Sequence, residues 1–304
     1  MKIDLSIIIL NYNTKKVTMD AIKSIEKNYP EEVKSGLYQV IVADNASPDE
    51  SLSAFHEYKK DTEIKEFYVV DNKKNVGFAA GNNKAIPFAK GKYILFLNPD
   101  TIVHGETLSH MIRFMDTHSD AGAATCKIEL PSGGMDEASH RGFPTPWNAF
   151  SHFSGLEKMS PKSQLFGGYI QGFKNLKTIH EVDAISGAFL LVRREVGEKI
   201  DWWDEEYFFY GEDLQFCYDI KKLGYKIYYV PDVSILHYGG VSSGIKKQSQ
   251  NITTADNTHK KIMQSHRFDA MRIFYKKNYN NKYPKILNWL VNKGIGSLQK
   301  RHSS

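Results

Sequence analysis

Four apolar runs, each followed by polar punctuation, constrain this 304-residue chain more than any other feature. Leu5–Leu10, Val40–Ala43, Phe67–Val70 and Tyr93–Leu97 are the runs. The polar stretches after them are Asn11–Asn13, Asp44–Ser47, Asn75–Asn83 and Asn98–Asp100. A strand that is apolar on both faces is buried on both, as in a parallel sheet covered on each side. The segments between the runs read as helices. Val17, Ala21, Ile22 and Ile25 recur at helical spacing and stop at Tyr29-Pro30; further helices are expected around Asp49–Lys60, Gly77–Ala89 and Thr107–Asp116, with a strand at Ala121–Lys127. Alternation of this kind predicts an α/β fold with a mainly parallel central sheet and flanking helices. In such sheets ligands bind outside the carboxyl ends of the strands, where the polar stretches fall.

The rest of the chain is less regular. From Pro131 to Thr178 glycine, proline, serine and aromatic residues mix without a period, so a long functional or mobile loop is expected. Val182–Val192 is strand-like, Leu214–Leu223 is helical up to Gly224, and two short strands, Ile227–Val230 and Val233–Leu236, are expected around Pro231 and end at His237. A helix is expected near Asn257–Lys277, then a short amphipathic segment after Pro284.

Composition narrows the class. With 41% hydrophobic and 25% charged residues the chain is ordinary for a globular protein. Cys126 and Cys217 match no metal or redox spacing and are expected to be small buried residues, which fits a reducing compartment. No run approaches the roughly 20 apolar residues of a membrane span, and the N-terminus lacks the pattern of a secretory signal. A cytoplasmic protein is therefore expected. Charge is uneven: Ile245–Ser304 holds 13 Lys/Arg against 2 Asp/Glu, a net of +11, and because the whole chain is +5 the first 244 residues sum to −6. A basic tail on an acidic body calls for an anionic partner, with nucleic acid and an anionic membrane surface both open on charge alone.

Five places hold residues suited to chemistry. Asp100, after the strand YILFL, can hold Mg²⁺ or Mn²⁺ from a strand end, although Asn98-Pro99-Asp100 is equally good turn chemistry. Asp44 can accept hydrogen bonds from a base or ribose, or cap the following helix. Asn75–Asn83 puts small residues at a helix start, which allows close backbone approach, but Gly77 and Gly81 do not make a dinucleotide fingerprint. Glu212 and Asp213 precede a helix behind the aromatic run Tyr207–Tyr210; either can face a cleft and take a proton, or both simply favour the helix N-terminus. His237 ends a strand before two glycines, as a metal ligand or a structural residue.

The order of these features resembles the inverting glycosyltransferases of family 2, with the GT-A fold, and within them the rhamnosyltransferase-like branch. The stretches that match are SIIILNYN, VIVADNAS, NVGFAAGNN, YILFLNPDT, ISGAFLLVRRE, EEYFFYGEDLQFCYDIKKLGYKIYYVP and LHYGG, spread over most of Leu5–Gly240. The resemblance implies a catalytic domain over 1–244, with a nucleotide-sugar-binding half (1–127) and an acceptor half (128–244), followed by a basic helical extension over 245–304. It implies that Asn11, Tyr12, Asn13 and Asp44 contact the nucleoside, and that Asn75, Gly77 and Asn82 line its ribose and phosphate. Asn98 and Asp100 stand in the D-x-D-type motif, with Asp100 binding Mg²⁺ or Mn²⁺ on the pyrophosphate and His237 as second protein ligand. Asp213, beside Glu212, would be the general base. The implied reaction moves one sugar, with inversion, from a nucleotide-diphosphate sugar to a glycan or lipid-linked saccharide of a bacterial surface polysaccharide. dTDP-rhamnose is the first donor expected and a UDP-hexose (galactose, glucose or N-acetylglucosamine) the alternative.

Three departures from the family pattern stand out. Asn98 replaces an acid and leaves one carboxylate for the metal. Gln215 and Asp219 stand where the branch often has an acid and an arginine, so a usual ion pair is missing and the helix must be braced differently. Trp202-Trp203 replaces a glycine-aromatic approach and is expected to alter the acceptor pocket. The Q-x-x-R-W motif of processive synthases is absent, which favours transfer of a single sugar. A nucleotidyltransferase would want a glycine-rich loop with a basic residue after the first strand, and Asn11–Thr14 offers none. A nucleic-acid-binding protein would carry its basic residues in a reader fold, whereas here they lie outside the organised domain, so no nucleic acid is expected as partner. The tail is expected instead to dock at the inner face of a bacterial membrane through Ile286–Val291, flanked by Lys285 and Lys293, or to pack on the catalytic domain or in a homodimer interface.

Overall fold

A computed structural model of the chain describes residues 2–241, 244, 253 and 257–303. Residues 245–252 and 254–256, at the start of the expected extension, lie outside the described residues. Among the described residues nine strands form one sheet: β1 (Leu5–Asn11), β2 (Tyr38–Asp44), β3 (Glu66–Asp71), β4 (Tyr93–Leu97), β5 (Thr101–Val103), β6 (Ala121–Glu129), β7 (His180–Val182), β8 (Phe189–Arg193) and β9 (Lys226–His237). Their order is β3-β2-β1-β4-β8-β6-β9-β5, with β7 also on β9. The block β3-β2-β1-β4 is wholly parallel, and β6 runs parallel to β9. The antiparallel pairings all involve β8 or β9.

The continuous apolar runs follow from burial on both faces. Ile7 and Ile9 of β1 face one core with Val40 and Val42, under Ile22 and Ile25 of the helix Lys15–Asn28 and Met111 and Phe114 of the helix Thr107–Thr117. Ile8 faces the other core with Ile41 and Phe96, under Trp203, Phe216 and Cys217. Cys126 and Cys217 are both buried, as expected of small apolar residues. The second core extends into the tail: Ala270, Phe274 and Tyr275 of the helix Asn257–Asn278 belong to it.

Several elements differ from the sequence expectation. The helix expected over Gly77–Ala89 is a short one, Phe78–Asn83, plus a 3₁₀ turn at Ile86–Phe88, because Pro87 cannot continue the hydrogen-bond ladder. The two strands expected around Pro231 are one, β9; a register shift against β6 leaves Pro231, Asp232 and Val233 unpaired there, and a bulge is where a sheet tolerates proline. Val182–Val192 breaks into β7 and β8. The irregular stretch Pro131–Thr178 contains a 3₁₀ turn at Glu137–Ser139 and helices Pro146–Ser154 and Leu156–Met159.

Trp203 is a core residue, and Trp202 packs half-buried against that core. Trp203 packs edge-on against Phe78 and Phe96, and Trp202 lies over Gly197, where an added Cβ would sit 2.3 Å from its ring. Three apolar residues of the last helix are not buried against the rest of the chain. Phe268 and Phe274 are buried, but Ile286, Trp289 and Leu290 of the helix Lys285–Ser303 are 72%, 53% and 52% exposed.

Candidate active site

The parallel block brings the first polar clusters side by side. Asn11 and Asp44 are register partners at the last paired position of β1 and β2. Asn11 Nδ2 donates to Asp44 Oδ1 (2.7 Å) and to Ser47 Oγ (2.8 Å). The Ser47 hydroxyl donates to Asp44 Oδ1 (2.6 Å), and the Ser47 and Asn13 amides donate to Asp44 Oδ2 and Ser47 Oγ (both 2.9 Å). Asp44 is thus buried with both oxygens engaged, and its carboxylate locks the turn after β1 to the turn after β2. The following helix starts only at Ser51, so Asp44 does not cap it; Asp49 Oδ1 accepts from the Ser51 amide (3.2 Å). Asn13 sits at φ 55°, a left-handed conformation that asparagine tolerates.

A second asparagine network, in which Asn45 and Asn72 were not anticipated, holds the glycine segment. Asn45 Nδ2 donates to Asn75 Oδ1 (3.2 Å) and to the Gly77 carbonyl (3.0 Å), and Asn72 Nδ2 donates to Asn45 Oδ1 (2.9 Å). Asn82 is buried and donates to the Phe78 carbonyl (2.9 Å). Gly77 has φ 85° and ψ −177°, and an added Cβ would lie 2.4 Å from the Phe208 carbonyl oxygen. That carbonyl accepts from the Phe78 amide (2.7 Å). The close approach that the glycine permits is therefore one between the two halves of the chain.

Asp100 and His237 meet through an element the sequence reading passes over. β5 is three residues long and pairs antiparallel with β9, so Thr101 lies opposite His237. Both side chains are buried, and Asp100 Oδ1 faces His237 Nε2 at 3.2 Å. Asp100 Oδ2 accepts from the Val241 amide (3.2 Å), and Asn98 Nδ2 lies 3.4 Å from His237 Nε2. On the far side of the ring, His237 Nδ1 contacts Asp136 Oδ2 at 3.1 Å. Burial alone would lower the pKa of this imidazole; Asp100 and then Asp136 outweigh it and raise it to about 9. For Asp100, burial works against ionisation, but His237 and the backbone amides hold its carboxyl below the usual range.

Among the described residues, no three His, Cys, Asp or Glu side chains gather around one point as a metal cage. Asp100 and His237 still fit a divalent cation as a partial ligand set: one carboxylate oxygen and one imidazole nitrogen face each other at strand ends. A mixed oxygen and nitrogen pair would suit Mn²⁺ at least as well as Mg²⁺.

Glu212 and Asp213 open the helix Glu212–Lys222 after Gly211, at φ 79°. Asp213 Oδ2 accepts from Arg141 Nη2 at 2.6 Å, and both side chains are largely buried. Burial opposes the Arg141 charge, but Asp213 overrides that and keeps the guanidinium protonated. Glu212 is buried with Oε2 unpartnered; burial and then the neighbouring Asp213 charge push its carboxyl up to about 8. The helix is braced as its missing ion pair demands. Gln215 Nε2 donates to Asp219 Oδ2 (2.7 Å), while Gln215 Oε1 accepts from Tyr207 and from Asn278 of the tail. Just upstream, a cavity of about 250 Å³ opens between Glu206–Tyr210 and the tail helix residues His266, Asp269 and Ile273.

Asp136 and Arg141, the partners of His237 and Asp213, both come from the stretch that was expected to be a loop. Asp136-Glu137-Ala138-Ser139 has the polar start of a capped turn, which is a detectable signal for the turn but not for its partner.

The model of Glycosyl transferase family 2 matches residues 6–196, which is more than half of the chain. The chain belongs to glycosyl transferase family 2. It is 29% identical over 171 residues to rhamnosyltransferase WbbL of Escherichia coli (strain K12), an alignment that covers 53% of this chain and 61% of the length of that relative. Its fold is shared with S. aureus TarS 1-349 in complex with UDP-GlcNAc (TM-score 0.58, 18% identity, 93% of this chain and 69% of that one). It is shared also with mannosyltransferase PcManGT from Pyrobaculum calidifontis in complex with GDP-Man and Mn²⁺ (TM-score 0.55, 14% identity, 97% and 80%). This family-2 chain therefore has the GT-A arrangement: a central sheet with flanking helices and C-terminal helices added to it.

Proposed function

We propose that this chain is a metal-dependent inverting glycosyltransferase that moves a single sugar from a nucleotide-diphosphate sugar to a saccharide hydroxyl. The observation that carries this reading is the pairing of Asp100 Oδ1 with His237 Nε2 at 3.2 Å, at strand ends in the same sheet whose β1 and β2 ends hold the polar turns. Asn11, Tyr12 and Asn13 form the nucleoside end, with Asp44 setting the shape of the turn. Asn75, Gly77 and Asn82 shape the wall for ribose and phosphate, with Asn98 beside the metal ligands. When bound, Mn²⁺ or Mg²⁺ would neutralise charge on the leaving diphosphate. Asp213 takes the proton of the acceptor hydroxyl; Arg141 holds one of its oxygens and keeps it oriented. Glu212 lies behind it, buried. The aromatic cavity beside Glu206–Tyr210 is the acceptor end. Attack from the face opposite the diphosphate inverts the anomeric centre without a nucleophile on the enzyme.

dTDP-rhamnose is the first donor to test, because the WbbL relative is named a rhamnosyltransferase; UDP-hexoses come second. Calorimetry should show binding of UDP or dTDP that requires Mn²⁺ and is lost in Asp100→Ala, and a donor panel then names the sugar. Nucleotide binding that ignores Mn²⁺ and survives Asp100→Ala refutes the metal site.

The acceptor is proposed to be a lipid-linked saccharide at the inner face of a bacterial membrane. No described helix is long and apolar enough to cross a membrane. The helix Lys285–Ser303, however, exposes Ile286, Trp289 and Leu290 on one face, with Lys293 Nζ 4.1 Å from the Trp289 ring. The segment 245–304 carries the net charge of +11 that an anionic leaflet attracts. The full chain should co-sediment with anionic liposomes at low salt, and a chain ending at Tyr283 should not. A full chain that stays in the supernatant but forms dimers assigns the apolar face to a second copy instead.

A further inference from the structure

The two metal ligands of the proposed site are not equally constrained by their surroundings. Asp100 is a side chain on a turn, held at Oδ2 by a backbone amide. His237 is a ring with two nitrogens, and whichever group binds one nitrogen decides what the other can do. Its Nδ1 faces Asp136 Oδ2 at 3.1 Å and its Nε2 faces Asp100 Oδ1 at 3.2 Å. A carboxylate only accepts, so Asp136 demands a proton on Nδ1. Asp100 likewise calls for a proton on Nε2, and that proton is the one a cation shared with Asp100 would displace, while Asp136 keeps the proton on Nδ1.

Asp136 is itself firmly held. Its amide donates to the Ile128 carbonyl (2.9 Å), and its carbonyl accepts from the Ser139 amide (3.0 Å) and hydroxyl (2.6 Å). Its Oδ1 accepts from the Ala138 amide at 3.1 Å as the cap of the 3₁₀ turn Glu137–Ser139. The carboxylate is 7% exposed, so its bond to the ring is little screened by water. A buried, backbone-fixed carboxylate on the far nitrogen of a ligating imidazole fixes the tautomer and ring plane and makes the near nitrogen more basic.

We infer that Asp136 is a positioning residue for metal binding: it holds His237 so that Nε2, with Asp100, is presented to a divalent cation. This rests on the reading of Asp100 and His237 as metal ligands. It adds to the site a residue from outside the matched motifs, 101 positions from its histidine.

The test measures Mn²⁺ affinity, not turnover. Mn²⁺ is titrated into the full chain with saturating UDP and, separately, dTDP, for wild type, His237→Ala, Asp136→Ala and Asp136→Asn. Electron spin echo of bound Mn²⁺ reports whether an imidazole nitrogen is coordinated, and metal-free melting curves report the fold. Loss of a carboxylate partner of a ligating histidine commonly weakens metal binding about 10–100-fold. Asp136→Ala should fall in that range and lose the nitrogen modulation, as His237→Ala does, with affinity read at a temperature where its metal-free melting curve, lowered by loss of the turn cap and of the buried contact to His237, shows it folded. Asp136→Asn keeps a carbonyl acceptor for Nδ1–H and should recover most of the affinity and the modulation. Should Asp136→Ala not fold, Asp136→Asn decides alone: a measurable weakening of less than tenfold with the modulation retained supports positioning, and unchanged Mn²⁺ affinity overturns it. If His237→Ala loses the modulation while Asp136→Ala keeps wild-type affinity and signal, the role of Asp136 is refuted and the metal site stands. If wild type shows no Mn²⁺-dependent binding of either nucleotide, both readings fall together.

Discussion

The parallel block of the sheet and the mixed remainder of it build their candidate sites by different means. In the parallel half, functional side chains sit at the ends of adjacent strands, and the strand register alone brings them together. Asn11 and Asp44 are paired residues of β1 and β2, and the turns that follow close on each other through Ser47. In the other half, each proposed catalytic group depends on a partner from an irregular segment. His237 is oriented by Asp136, 101 residues away, and Asp213 is held by Arg141, 72 residues away. The first half can therefore tolerate changes outside its strand ends, whereas the second is sensitive to a stretch with hardly any regular structure. A six-residue span, Asp136–Arg141, supplies both partners and so ties the proposed metal ligand to the proposed base.

The sharpest way to break this contrast is at the base. Asp213→Asn should cut transfer by about 10²–10⁴, the usual cost of losing a general base, while Mn²⁺-dependent binding of UDP or dTDP stays near wild type. The amide oxygen can still accept from Arg141, so the fold should survive. Arg141→Met should also lower turnover without touching nucleotide affinity. In addition it should lower the melting temperature, because removing one member of a buried ion pair costs about 3–5 kcal/mol. Steady-state rates, calorimetry and melting curves on the two variants are the measurements. Near-wild-type turnover in Asp213→Asn would move the role to Glu212; weakened nucleotide binding in Arg141→Met would show that the halves are not separable.

How much was legible follows the same division. The four strands of the parallel block, the turns after them and the two-sided core could be read from apolar runs and their polar ends, because burial on both faces leaves no other pattern. Asp100, Glu212, Asp213 and His237 could be singled out by type and place. That Asp100 and His237 meet followed only from the family resemblance and not from the residues themselves, because it depends on β5, which at three residues is too short to show a period. Asp136 and Arg141 lay hidden for a related reason: their partners are set by tertiary contacts across a segment with no repeat. Gly77 was legible as a site of close approach, but the group that approaches, Phe208, is 131 positions further along the chain. The twin tryptophans pointed to an acceptor pocket through their departure from the family pattern, whereas Trp203 is buried in the core and Trp202 packs half-buried against it.

Gly77 is where the halves touch, and it gives a smaller but specific effect. Its φ of 85° with ψ of −177° lies in a region essentially limited to glycine, where other residues are strained by about 1–3 kcal/mol. The overlap with the Phe208 carbonyl oxygen at 2.4 Å adds to this, since the obstacle is backbone and cannot swing away. Gly77→Ala should lower stability by at least that range in urea unfolding. Because Phe208 leads into Glu212 and Asp213, the variant should also lose turnover at temperatures where it is still folded. A Gly77→Ala protein as stable as wild type would mean that the junction between the halves is looser than the Phe78–Phe208 hydrogen bond implies.

The smallest expected effect concerns Glu212 and is visible only as a function of pH. Its carboxyl is buried with Oε2 unpartnered, and burial, then the charge of Asp213, raise it from an ordinary value near 4.5 to about 8. The folded state therefore favours the protonated form more than the unfolded state does. The resulting stability is fully present below about pH 4.5 and is lost as pH rises through about 8. Glu212→Gln has no such proton to lose. Its melting temperature should match that of wild type near pH 5 and exceed it by a few degrees, on the order expected for a domain of this size, at pH 9. It should keep transfer activity if Asp213 is the base, because a neutral Glu212 is already the form present at neutral pH. Melting curves of both proteins from pH 5 to pH 9.5 decide the matter. Parallel profiles would mean that Glu212 is ionised and partnered in the folded protein, and that the charge near Arg141 is shared between two carboxylates rather than carried by Asp213 alone.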